Sequence, residues 1–176
     1  MDPLDPTPRP FDLHEILTTD SEETLAQARE LVLEYGRFVV SQPGAARFCF
    51  GSLEKEADGL PQSFHAQGGG CLMAHADGQP AGFIAWRDVP EAVAPNAWEL
   101  KRLWVRPAAR GLSLGRALTQ AVLDRAIAAG RTAIYLDTAP ASMGAAYGMY
   151  LDLGFDTCAP YNDNPVEGLA YLRKKL

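Results

Sequence analysis

Apolar positions along the chain follow two rhythms, and their succession predicts an order of elements. Phe11-Asp12-Leu13-His14-Glu15-Ile16 alternates apolar and polar side chains, the period of a half-buried strand. Leu25, Ala28, Leu31, Val32 and Tyr35 recur at helical spacing behind Asp20 or Ser21 and the acids Glu22 and Glu23, the marks of a capped helix start. Pro43-Gly44 breaks the chain, a second helix is expected over about 45–57, and Gly59 to Gly70 reads as loop, with Gly68-Gly69-Gly70 a flexible turn. Cys71–Ala76 and Ala81–Trp86 are apolar runs joined through Asp77-Gly78, a strong hairpin signal. Trp98–Val105 is the next strand, closed by Pro107. A helix over 113–129 carries Leu114, Ala117, Leu118, Ala121 and Val122 on one side, with Gly130 where a C′ residue belongs. Thr132–Leu136 is a strand. Ser142 is expected to cap a short helix bearing Met143, Ala146, Tyr147, Tyr150 and Leu153, and Phe155–Tyr161 and Leu169–Leu176 end the chain as two strands. The order β-α-α-β-β-β-α-β-α-β, without repeat or long linker, describes one mixed α/β (α+β) domain over residues 11–176. Residues 1–10, with Pro3, Pro6, Pro8 and Pro10, read as an extended, flexible tail.

The length, 176 residues, is ample for one buried core without a disulfide or metal staple. A hydrophobic share of 47% against 22% charged residues is that of an ordinary soluble protein. The net charge of −6 argues against a nucleic-acid-coating role, which relies on Lys and Arg. No apolar run reaches the roughly 20 residues of a membrane span, and the acidic, Pro-rich start is unlike a signal peptide. Cys49, Cys71 and Cys158 form no CxxC pair and read as small buried thiols in a reducing, cytoplasmic setting. His14, His65 and His75 have no metal-ligand spacing.

The chemistry concentrates in Leu103-Trp104-Val105-Arg106-Pro107-Ala108-Ala109-Arg110-Gly111-Leu112-Ser113-Leu114-Gly115-Arg116-Ala117-Leu118. A strand feeding through a loop of small residues into a helix aims free N–H groups and the positive end of the helix dipole at one place, where a pyrophosphate would fit beside Arg110 and Arg116. The pattern also suits an ordinary strand-to-helix crossover. It is neither GxxxxGK[ST] nor GxGxxG.

The segment resembles motif A of the GNAT superfamily of N-acetyltransferases, V-x-P-x-x-[RQ]-G-x-[GA]-x-[GA]-x-x-L. Val105, Pro107, Arg110, Gly111, Gly115 and Leu118 match, and Ser113 departs from a usual Gly or Ala. Ala146–Phe155 is similar to a second motif, A-x-x-x-Y-x-x-x-G-F, and the element order is the superfamily's own. Glu99–Val105, Leu136-Asp137-Thr138 and the Pro160–Gly168 segment look like a widespread bacterial subgroup of mostly unassigned substrate.

The resemblance implies a mixed, mostly antiparallel sheet flanked by helices and acetyl-CoA as cosubstrate, with no metal. The backbone of Leu103, Trp104 and Val105 would hold the pantetheine arm. Arg110, Gly111, Leu112, Ser113, Leu114, Gly115 and Arg116 would hold the phosphates. Tyr150 would be the general acid for the departing thiolate, and it lies at a cofactor-binding position. Glu99, six residues before Val105, would be the base that deprotonates the amine, or else a surface residue paired with Lys101 or Arg102; on a regular strand it shares a face with Lys101 and Leu103. Thr138, where many relatives place the base, cannot serve, and Met143 replaces an Asn common in relatives. Tyr161, Asn162, Asn164 and Glu167 either border the acceptor or form a plain turn, and Arg87 and Arg102 either select a carboxylate-bearing acceptor or are solvated. The expected activity is acetyl transfer from acetyl-CoA to a primary amine of a small molecule or peptide by direct attack. The alternative is a non-catalytic acyl-CoA-binding or sensing domain. A homodimer is left open, and neither nucleic acid nor membrane is expected as partner.

Overall fold

The computed structural model describes residues 11–176; the tail expected over residues 1–10 lies outside the described residues. The strands are β1 (Phe11–Glu15), β2 (Gly70–Ala76), β3 (Gln79–Asp88), β4 (Ala97–Val105), β5 (Ala133–Thr138), β6 (Asp156–Thr157) and β7 (Ala170–Lys175). The helices are α1 (Glu22–Val40), α2 (Phe50–Asp58), α3 (Gln62–His65), α4 (Leu114–Ala128) and α5 (Gly144–Asp152). The strands make one sheet in the order β1-β2-β3-β4-β5-β7-β6. Every neighbouring pair is antiparallel except β4 and β5, which run parallel.

The apolar runs of β2 and β3 serve two helix layers at once. Leu72, Ala74, Ile84 and Trp86 pack with Leu118 and Val122 of α4, while Cys71, Met73, Phe83 and Ala85 pack with Leu31 and Val32 of α1, Leu53 of α2 and Phe64 of α3. A sheet covered on both faces needs apolar residues at every position, so these strands do not alternate. Asp77 (φ 50°) and Gly78 (φ 71°) both take positive φ, as a two-residue type I′ hairpin turn requires. Ser21 caps α1, accepting from the Thr24 N–H at 3.1 Å, while Asp20 binds the Leu17 N–H and His14 Nε2. The α1–α2 layer is fastened to β4 through polar groups. Glu34 of α1 accepts from Trp104 Nε1 at 2.9 Å and Arg106 Nη2 at 2.7 Å, and Glu56 of α2 accepts from Arg102 Nε at 2.7 Å.

The decisive irregularity lies in β4. Phe83 pairs with Trp104 but Ala85 pairs with Lys101, so Arg102 and Leu103 together face the single residue between. This is a β-bulge, and Arg102 sits in it at φ 60°. One extra residue inverts the alternation. Trp98 and Leu100 face α4 before the bulge, and Leu103 and Val105 face it after, whereas Trp104 joins the α1 side. Glu99 and Lys101 therefore do not share a face with Leu103, as a regular strand would have it. β4 and β5 pair only at Ala97–Ala133, Trp98–Ile134 and Glu99–Tyr135, and beyond that the strands part.

Other expectations need correcting. α2 begins at Phe50 rather than near 45, because the chain after Pro43 turns at Gly44 (φ 86°), whose carbonyl accepts the Glu167 N–H at 3.1 Å. The 59–70 loop contains α3, which carries the buried Phe64. Ser142 does not cap α5; Met143 occupies that place, and the Ser142 hydroxyl turns back to the Ala139 carbonyl. The strand expected over 155–161 shrinks to Asp156–Thr157, since the chain beyond Cys158 leaves β7 and folds onto β4 and β5. Of the cysteines, Cys71 is buried, but Cys49 is exposed and Cys158 half-buried.

Gly68-Gly69-Gly70 is a close crossing rather than a flexible turn. A Cβ on Gly69 would lie 1.8 Å from the Trp86 carbonyl oxygen, and one on Gly70 would lie 2.8 Å from the Trp86 ring. Gly69→Ala is therefore expected to lower stability by about 3 kcal/mol in urea unfolding. Gly51→Ala, where a Cβ meets nothing within 4 Å, should be neutral or stabilising by up to about 1 kcal/mol. Equal values for the two would show that the crossing yields.

Candidate active site

Where β4 and β5 part, a cleft of about 690 Å³ opens. Its walls are β4 from Leu100 onward, the end of β5, Tyr35 and Phe38 of α1 and the inner side of α5, and the first turn of α4 closes one end. Leu103, Trp104 and Val105 line it with the strand edge that no β5 residue pairs. A strand edge with free N–H and C=O groups receives an extended amide-bearing chain as if it were a further strand.

At the α4 end, the loop turns through Gly111 (φ 90°) and Ser113 (φ 60°) before the helix starts. Ser113 is in the left-handed region, at a cost of about 1–2 kcal/mol for a residue with a Cβ, and its hydroxyl makes no capping bond. The first N–H groups of α4 thus have no partner within the helix, and no acidic residue stands in that turn. Gly111, Ser113, Leu114, Gly115 and Arg116 border the cleft there. Arg110 borders it too, its guanidinium stacked 5.4 Å over the Trp104 ring and its Nε donating to the Val105 carbonyl at 3.3 Å. Arg116 leans on Asp152 at 3.4 Å in an exposed pair. Leu112, expected with this group, is 37% exposed and stands outside the lining.

Tyr150 enters from α5. It is 5% exposed, its ring meets Phe155 edge-on at 5.6 Å, and it lines the cleft. Burial, aided by Tyr35 and Asp137, pushes its phenol above the ordinary tyrosine value. Met143 borders the same cleft with its sulfur 3.9 Å from the Thr138 hydroxyl.

Glu99 is elsewhere. It is 3% exposed and absent from the cleft wall. Arg87 Nε donates to it at 3.0 Å, the Tyr161 hydroxyl at 2.9 Å and Asn162 Nδ2 at 3.3 Å, with Lys101 Nζ at 3.6 Å. Burial pushes its carboxyl up, but Lys101, Arg87 and Tyr161 together hold it below the usual value. A carboxylate so fully engaged by its neighbours and set back from the cleft does not fit the role of base expected of it. Neither is it the surface residue of the other reading. Arg87 and Arg102 are likewise spent on internal carboxylates, Glu99 and Glu56.

The pattern of the Acetyltransferase (GNAT) family matches residues 26–155, spanning both walls of this cleft. The chain belongs to that family. Over 82 residues this GNAT family member is 35% identical to an uncharacterized N-acetyltransferase of Schizosaccharomyces pombe, covering 47% of this chain and 50% of the yeast protein. The match therefore spans about half the length of that curated relative. Among solved structures, an acetyltransferase from Streptococcus agalactiae superposes with a TM-score of 0.73 at 19% identity, covering 96% of this chain and 99% of that one. PaiA N-acetyltransferase from Thermoplasma acidophilum, solved with coenzyme A, gives 0.70 at 17% identity over 94% of this chain and 99% of its own. YncA from Salmonella typhimurium, solved with acetyl-CoA, gives 0.64 at 15% over 94% and 93%. At these identities the likeness is one of fold. No helix among the described residues is long and apolar enough to cross a membrane.

Three residues of this GNAT site stand in places that no motif assigns them. Tyr35, counted in the apolar stripe of α1, faces the cleft with Arg102 over its ring at 5.6 Å. Arg102 is opposed by burial, yet Tyr35 and Glu56 hold its guanidinium firmly charged. Asp137 of β5 accepts from Asn162 Nδ2 at 2.7 Å and Asn164 Nδ2 at 3.3 Å. Three of the four loop residues, Tyr161, Asn162 and Asn164, thus place their side chains on carboxylates of the sheet.

The Glu99 cluster generates a stability prediction. Its folded carboxyl sits below the unfolded value of about 4.3, so its contribution is complete above that pH and is lost as the pH falls through the folded value. Glu99→Gln leaves Arg87 and Lys101 without their charge partner and should cost about 3 kcal/mol at pH 7. In urea unfolding the gap between wild type and variant should narrow as the pH is lowered from 7 toward 3.5. A constant gap would mean that Glu99 is not held ionised.

Proposed function

We propose that this GNAT acetyltransferase moves the acetyl group of acetyl-CoA onto a primary amine by direct attack, without an acyl-enzyme. The observation that carries the reading is the bulge-made edge of Leu103–Val105, in one cleft with the unpartnered first turn of α4 and the Tyr150 phenol. The coenzyme A seen in PaiA and the acetyl-CoA seen in YncA support it. The cosubstrate's pieces fit what is there. The amides of a pantetheine arm match the backbone groups of the free edge. A pyrophosphate matches the N–H groups from Gly111 to Arg116 with the charges of Arg110 and Arg116 beside them.

In the reaction the amine nitrogen forms a bond to the thioester carbon, the carbon–sulfur bond breaks, and sulfur leaves with the electron pair. A phenol of pKa about 10 giving its proton to a thiol of about 8.5 runs uphill by roughly 2 kcal/mol, and burial of Tyr150 steepens this. Tyr150 accordingly acts chiefly by donating a hydrogen bond to the sulfur as its charge develops. Glu99 acts as a positioning residue, holding the 161–164 segment against β4.

Calorimetric titration with acetyl-CoA is expected to show micromolar binding, and no detectable binding would sink the transferase reading. Binding without turnover of any amine would instead favour the acyl-CoA-sensing alternative. Tyr150→Phe should lower kcat by roughly 100-fold with acetyl-CoA affinity nearly intact; an unchanged kcat removes Tyr150 from the mechanism. Gly111→Glu places a carboxylate and a Cβ in a left-handed turn at the phosphate position and should abolish binding. Undiminished affinity would move the phosphate site elsewhere.

A further inference from the structure

At its inner end the cleft meets a second, smaller cavity, and Tyr35, Arg102, Asp137, Thr138, Ser142 and Met143 border both. Behind that shared mouth the walls are mostly apolar: Val39 near the end of α1, Pro43, Ala45 and Phe48 from the chain after it, and Val166 and Leu169 from the last loop, with the amides of Gln42 and Asn164 among them. The Glu167 N–H bonded to the Gly44 carbonyl ties these two walls together. The cavity measures about 50 Å³; at roughly 10–15 Å³ per water-sized group it holds some three to five non-hydrogen atoms.

Its charges are unequally matched. Arg102 is paired with Glu56 through contacts of 2.7 and 3.3 Å. Arg87 and Lys101 are turned to Glu99. Asp137, the one acidic residue of the cavity wall among the described residues, accepts only from the neutral amides of Asn162 and Asn164. Each of those bonds occupies one lone pair of a carboxylate oxygen, so acceptor capacity is left over at the mouth.

We infer that this cavity holds the acceptor: a small, unbranched primary amine with an uncharged apolar body of about three to five non-hydrogen atoms, its ammonium on Asp137. The inference rests on the acetyl-transfer reading and narrows its substrate class to small molecules rather than peptides. Placed at the mouth, the nitrogen faces the cleft in which the thioester would lie, while the body fills the apolar end. Asp137 takes one N–H proton of the ammonium as general base, using the acceptor capacity left at the mouth. The freed lone pair then forms the new carbon–nitrogen bond as the carbon–sulfur bond breaks. A second nitrogen proton leaves as the amide forms and is balanced by the one that sulfur takes up, so the products are the acetamide and the free thiol, with the first proton returned from Asp137 to solvent.

The test measures thiol release from acetyl-CoA with n-alkylamines from propyl to octyl, with 4-aminobutyrate and with an unblocked alanyl peptide, alongside calorimetry of acetyl-CoA. The kcat/KM should peak among propyl-, butyl- and pentylamine and fall at least tenfold for octylamine, 4-aminobutyrate and the peptide. Asp137→Asn should raise KM for butylamine at least tenfold with acetyl-CoA affinity within twofold. Leu169→Ala should move the optimum to longer amines, a shift that a merely structural residue would not produce. A flat chain-length series, a preferred peptide or 4-aminobutyrate, or an unaltered KM in Asp137→Asn overturns the inference while the transferase reading stands. Absence of acetyl-CoA binding by the wild type overturns both.

Discussion

Much of this molecule depends on one additional residue in β4. The bulge at Arg102 and Leu103 swaps the faces of everything downstream and separates β4 from β5 after three paired positions. A flat continuation would have put Leu103 on the α1 side and sealed the edge of β4 against β5, leaving no cleft. Keeping a positive φ at Arg102 requires stronger interactions around it, and they are present. The guanidinium is gripped by Glu56 and stacked over Tyr35, so α2 and α1 both hold the irregular residue in place.

The second organising feature is the treatment of buried charge. Glu99 gathers Arg87, Lys101, Tyr161 and Asn162, and Asn162 reaches on to Asp137. Desolvation works against each ion, and removing any single partner strands the others, which is why such clusters are poor contributors to stability but strong specifiers of geometry. Here the geometry specified is the path of the last loop. Instead of continuing as a strand beside β7, it bends over the end of β4 and β5 and supplies Val166 and Leu169 to the small cavity.

What the chain discloses by itself is whatever rests on neighbours in sequence. The Ser21 cap, the Asp77-Gly78 turn and the strand–loop–helix passage from Leu103 to Leu118 are all local chemistry, and all stand where their residues indicated. The bulge was invisible because a period-two reading has no signal for one surplus residue when both faces of the sheet are covered. Glu99 was misplaced for the same reason, and its partners Arg87 and Tyr161 lie 12 and 62 positions away. Asp137 stands in a segment that resembles the subgroup, yet a lone acid on a strand shows no role until Asn162 and Asn164 come to it. The two-residue β6 and the late start of α2 both reflect contacts of the last loop, with the sheet and with Gly44, that no local propensity encodes.

The fastening of Glu34 to Trp104 and Arg106, together with that of Glu56 to Arg102, bears on how a long, jointed molecule would settle into the cleft. Both carboxylates come from the helix layer, Glu56 gripping the bulge and Glu34 the open edge and the residue just past it, so the separation of the strands is built into the fold rather than made on arrival. An incoming arm meets a slot already shaped to receive it. The ordering entropy of association then falls mainly on the flexible guest and little on the host, and capture becomes limited by encounter more than by rearrangement.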